Sequence, residues 1–113
     1  MPNHALVMEQ TSFDLGIVPT GEHFVQVPIK NQTTQGRRIL GIDGMCDDVV
    51  CYGPADGQEG RMIEKLARTN ISLWLLVKKP APFRCEIGIY LDDFGAKRHV
   101  VTIEGVGQGD SFE

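Results

Sequence analysis

The stretch Phe83-Arg84-Cys85-Glu86-Ile87-Gly88-Ile89-Tyr90-Leu91 decides the fold, because apolar residues occupy every second position along it. Side chains of an extended chain point alternately to opposite faces, so Phe83, Cys85, Ile87, Ile89 and Leu91 share one face. On a helix the same residues would be spread around the circumference. The stretch therefore reads as a β-strand with one buried face, and Cys85 on it reads as a small core residue.

The pattern extends in both directions. Downstream, Asp92 to Lys97 has the turn chemistry of a hairpin loop, and Val101 and Ile103 mark the final strand. Gly105-Val106-Gly107-Gln108-Gly109 lacks the following helix that a phosphate loop needs, so it reads as flexible, with 108–113 as a tail. Upstream, Pro80-Ala81-Pro82 stops the run Asn70 to Lys79. In that run Ile71, Leu73, Leu75 and Val77 share one face, with Trp74 and Leu76 on the other. Trp74 thus reads either as an exposed anchor or as a core residue between two sheets.

Nearer the start, Phe13, Leu15 and Ile17 alternate, Pro19 to Glu22 reads as a turn, and Val25, Val27 and Ile29 alternate again. Pro28 lies inside this last run and predicts an irregularity, since proline cannot donate to a strand ladder. Asn31 to Gly36 is a polar loop, followed by Leu40, Ile42, Gly44 and Cys46 on one face. From Cys46 to Thr69 the chain reads as one long connection. Its part from Gly60 to Asn70 reads as irregular, with room for a turn of helix at Met62, Ile63, Leu66 and Ala67. Short strands separated by turn signals, with no long helix, give an all-β antiparallel β-sandwich. Residues 12–107 form its domain, with 1–11 as an N-terminal extension.

Composition narrows the function. The 113 residues suffice for one domain and carry a formal net charge of −4 with scattered basic pairs, which argues against nucleic acid as a partner. No apolar run is long enough to span a membrane. Met1 to Gln10 has neither the basic start nor the apolar stretch of a signal peptide.

The order of Phe13-Asp14-Leu15-Gly16-Ile17-Val18, the Gly21-Glu22 turn and the alternation ending at Asn31 resembles the opening of a bacterial immunoglobulin-like family of unknown function. That family is related to the abnormal-spindle/hydin and major-sperm-protein type domains. Ile39 to Cys46, Cys85 to Leu91 and Val101-Thr102-Ile103-Glu104-Gly105 resemble its later strands, so the likeness covers about residues 12–107. Where the family often has a cysteine-glycine-cysteine step, this sequence reads Cys46-Asp47-Asp48-Val49-Val50-Cys51. The resemblance implies an immunoglobulin-like sandwich of seven to nine strands, often exported to the periplasm or cell envelope, with no known enzymatic activity.

No catalytic constellation stands out, and no cofactor or metal is expected. Cys46 and Cys51 make a poor zinc half-site and read as a disulfide or as two free thiols. The acids Asp43, Asp47 and Asp48, and Asp92 and Asp93, lack the spacing of a calcium loop and read as solvated turn residues. Asn31-Gln32-Thr33 and Asn70-Ile71-Ser72 match the glycosylation pattern. Two functions follow. The first is a non-enzymatic binding or assembly module, contacting protein through a sheet edge or the 46–69 connection, with Trp74, Met62 and Tyr52 as candidate binding residues. The alternative is a small thiol enzyme or hydrolase centred on Cys46 and Cys51, with His23 or His99 as base.

Overall fold

In the computed structural model, which describes residues 6–54 and 60–110, the described residues form nine strands and no helix. These are β1 (Leu6–Met8), β2 (Ser12–Pro19), β3 (Gly21–Asn31), β4 (Arg37–Cys46), β5 (Val50–Pro54), β6 (Met62–Ile63), β7 (Arg68–Val77), β8 (Pro82–Asp92) and β9 (Ala96–Gln108). One sheet has the order β1-β3-β7-β5 and the other β2-β9-β8-β4-β6. All neighbours are antiparallel except β2 and β9, which run parallel. This is an all-β, immunoglobulin-like sandwich.

Period-two alternation builds the interior. Val25, Val27 and Ile29 of β3 and Ile71, Leu73, Leu75 and Val77 of β7 face Phe83, Cys85, Ile87, Ile89 and Leu91 of β8 and Val101 and Ile103 of β9. Each large aliphatic side chain buried there contributes roughly 1.5–3 kcal/mol of transfer free energy. The loops at one end are held by Asn31, which is fully buried. Its Nδ2 donates to the carbonyls of Gln35 at 2.8 Å and Ile63 at 3.1 Å, and its Oδ1 accepts from the Thr33 amide at 2.9 Å. That burial also removes Asn31 as a glycan acceptor.

Two bulges change which residues face inward. The register shifts between Asp14 and Ile17, where Gly16 has φ of 67°, so Ile17 turns out to solvent instead of joining Phe13. A second shift between Ile39 and Gly41 inserts Leu40, which is exposed while Ile39 is buried. An extra residue on one strand moves all later side chains to the other face, and alternation alone does not reveal where it is inserted.

Other expectations also need correction. Pro28 causes no register shift in the β3–β7 ladder. Its carbonyl accepts from the Glu9 amide at 2.9 Å, on the β1 side, so its missing N–H points past Met8, where β1 ends. The 46–69 connection is interrupted by β5 and β6, and no helical turn forms at 60–70. Leu6–Met8, expected as part of an extension, pairs with Ile29–Asn31. Gly105 to Gln108 continues β9 instead: β8 pairs with Gly105 and Val106, and β2 with Val106 to Gln108. Residues 111–113 lie outside the described residues.

Candidate functional site

The face of the first sheet that points away from the core carries two different halves. Cross-strand register sets Phe24, Trp74 and Gly53 in one row and Glu22, Leu76 and Cys51 in the next. The rows beyond are polar, beginning with Gln26 and Ser72, whose side chains are joined by a 2.7 Å hydrogen bond. Phe24 is 60% exposed. Trp74 is half-buried on this outer face, between buried Leu73 and Leu75, and so does not lie between the sheets. Gly53 leaves room beside it: a Cβ there would stand 3.6 Å from the indole ring.

This aromatic row runs between two open edges. β5 pairs with β7 on one side and has no strand partner on the other among the described residues. On the far side, β1 covers β3 only at Ile29–Asn31, which leaves the β3 edge beside Phe24 unpaired among the described residues. Unpaired edge amides and carbonyls are ready to accept another strand.

Around the β5 edge, Met45, Cys46, Asp47, Cys51, Tyr52 and Lys78 line a concavity of about 520 Å³. Met45 is 80% exposed at its rim. Tyr52 packs against the core and donates its hydroxyl to the Gly44 carbonyl at 3.1 Å, so it ties β5 to β4 across the two sheets. Three sequence candidates (Cys46, Cys51 and Tyr52) thus meet at one place, with Trp74 on the adjoining face. Met62 does not join them; it sits on β6 at the far end, paired in register with Arg38. Phe24 and Met45 were missed by the sequence reading. Each occupies an outward position, where periodicity carries no signal of use.

The cysteines correct the expected pairing. Cys46 is bonded to Cys85, its cross-strand neighbour in the β4–β8 ladder, with Cα atoms 4.3 Å apart, and Cys51 is the free cysteine. Bonded Cys46 holds no thiolate. Cys51 and His23 are two strands apart, roughly 10 Å by strand spacing. Their rows put them on opposite faces, Cys51 beside Leu76 and His23 beside buried Leu75. The Nε2 of His23 lies 2.6 Å from the Pro19 carbonyl, and that of His99 lies 3.4 Å from Asp93. Neither arrangement makes a cysteine–histidine pair.

The acids are used locally. Asp43 accepts from Arg98 Nε at 3.0 Å and from the Tyr90 hydroxyl at 3.1 Å. Asp47 accepts from the amides of Val49 and Arg84 at 3.1 and 3.2 Å. Asp48 bonds Lys79 at 3.0 Å, and that hydrogen bond, then the charge of Lys79, holds its carboxyl below the usual range. Among the described residues no three His, Cys, Asp or Glu side chains gather where they could hold a metal ion. No helix among them is long and apolar enough to cross a membrane.

No protein-family model and no curated protein matches the sequence. Solved structures do match in fold. PapD-like domain 7 of human CEP192, an ASH domain, superposes with a TM-score of 0.63 at 9% identity, covering 98% of this chain and 91% of that one. The VesB protease of Vibrio cholerae gives 0.64 at 12% identity over 90% of this chain, which spans only 32% of the protease. The periplasmic chaperone SfaE gives 0.58 at 8% identity, covering 96% of this chain and 59% of that one. At these identities the likeness shows the fold alone. The shared fold is an immunoglobulin-like β-sandwich.

Proposed function

We propose that the chain is a non-enzymatic protein-binding module that docks a partner around the β5 edge. The observation that carries this reading is the row Phe24–Trp74–Gly53, which lies between two strand edges that are unpaired among the described residues. An edge supplies main-chain hydrogen bonds to an added strand, while neighbouring side chains supply selectivity. Aromatic residues at such a place carry interface energy out of proportion to their number. Exposed Met45 and the concavity beside it extend the surface around the edge; thioether side chains adapt to varied partners.

The whole-length likeness to the PapD-like domain of CEP192 supports the kinship with abnormal-spindle/hydin and major-sperm-protein type domains. The Cys46–Cys85 bond supports an oxidising compartment, where such bonds persist. Substituting Trp74→Ala tests the reading, with the immobilised domain capturing its partner from a native extract. Capture falls about tenfold or more, and the melting temperature stays within a few degrees of the parent. Unchanged capture, or a collapse of stability with no separate effect on binding, contradicts it.

A further inference from the structure

The end of the sandwich opposite the cysteine cavity carries a different surface. There the 31–36, 64–67 and 93–95 loops come together. Among the described residues only two that are not glycine have positive φ, Leu66 and Phe94, each at 55°. Both are large and apolar, both sit at loop tips, and they are 61% and 57% exposed. The left-handed conformation is easy for glycine or asparagine and unfavourable for bulky side chains. Turn chemistry and solvent both disfavour these residues, and strain of that kind gathers at functional sites.

The two tips belong to one connected unit. The Leu66 amide donates to the Thr33 carbonyl at 3.0 Å, Arg37 Nε reaches Thr33 Oγ1 at 3.5 Å, and the Arg37 guanidinium stands 4.8 Å from the centre of the Phe94 ring. Around them the segments 31–38, 60–68 and 92–97 carry Arg37, Arg38, Arg61, Lys65, Arg68 and Lys97 against Glu64, Asp92 and Asp93. Of these acids, Asp93 is fully buried and faces His99, and Asp92 lies 3.8 Å from Arg37; outside these segments, Glu9 lies 3.5 Å from Arg68, and the bases still outnumber the acids. A basic excess thus surrounds two apolar tips in a chain whose formal net charge is −4.

We propose that this end docks onto the surface of an anionic lipid bilayer, with Leu66 and Phe94 entering the acyl boundary and Arg38, Lys65 and Lys97 resting on the headgroups. Apolar side chains on convex turns from separate loops suit a fluid boundary, which moulds itself to them. Interfacial binding grows with the apolar area inserted and with attraction to anionic lipid. The end lies on a long axis of 48 Å, distant from the β5 edge near the cysteine cavity, so both surfaces can be engaged at once.

The test is co-sedimentation with vesicles of phosphatidylcholine alone or mixed with phosphatidylserine. The chain sediments with the mixed vesicles, less so as salt is raised, and not with phosphatidylcholine alone. Leu66→Gly combined with Phe94→Gly relieves the backbone, so the melting temperature holds or rises while vesicle affinity falls at least about tenfold. Lys65→Glu weakens binding to the mixed vesicles and flattens its dependence on salt. The proposal is overturned if the parent chain ignores anionic vesicles, if the double glycine variant binds them equally well, or if soluble polyglutamate binds in their place and loses affinity with the same variants.

Discussion

Asn31 shows how much one residue decides in this molecule. It looks like loop polarity in the sequence, yet it is buried, and its amide braces the 31–36 loop through Gln35 and Thr33 and ties it to β6 through Ile63. Replacing it with Ala removes the side-chain donor to the buried Ile63 carbonyl, at a cost of about 1–3 kcal/mol. Urea unfolding of Asn31→Ala therefore shows a loss of about that size or more, whereas the exposed neighbour Thr34→Ala stays close to the parent. An equal effect at both positions would mean that the network is not formed. Ile17 and Leu40 teach the complementary lesson: both are apolar and in phase with their neighbours, and both are exposed, because a bulge just before Ile17 and one at Leu40 itself reverse the face.

Elements were more legible than the contacts between them. The alternation in β3, β7, β8 and β9 identified the buried faces residue by residue, since period-two burial is a local property of the chain. Pairing is not local, and so the cysteines were misread. Cys46 and Cys51 are close in sequence, but β4 and β8 place Cys46 opposite Cys85, a strand that sequence proximity does not suggest. A non-reducing peptide map should join Cys46 to Cys85 and leave Cys51 open to alkylation. With 39 residues of sequence separation, reduction should lower unfolding free energy by about 4 kcal/mol on the chain-entropy account. A Cys46–Cys51 link would contradict the strand order itself. Gly107 was likewise unreadable as a strand residue. It fits β9 because a Cβ there would meet the Lys79 carbonyl and Val77, a constraint visible only once the strands are assembled.

On the scale of the whole molecule, the sandwich is elongated, 48 × 23 × 20 Å, and its surfaces are divided. The β5 edge with its aromatic row lies on one sheet, and the basic end with two apolar tips lies where three loops meet. Sequence located part of the first through Trp74, Cys51 and Tyr52, and little of the second, because loop tips have no periodicity to read. The docking surface requires Trp74 on the outer face of its sheet. It is the only tryptophan in the chain, so its fluorescence reports on that position alone. Acrylamide should quench the native emission substantially, and bound partner should protect it. Blue-shifted emission that resists acrylamide in the free protein would place the indole between the sheets and contradict the docking surface described for the β5 edge.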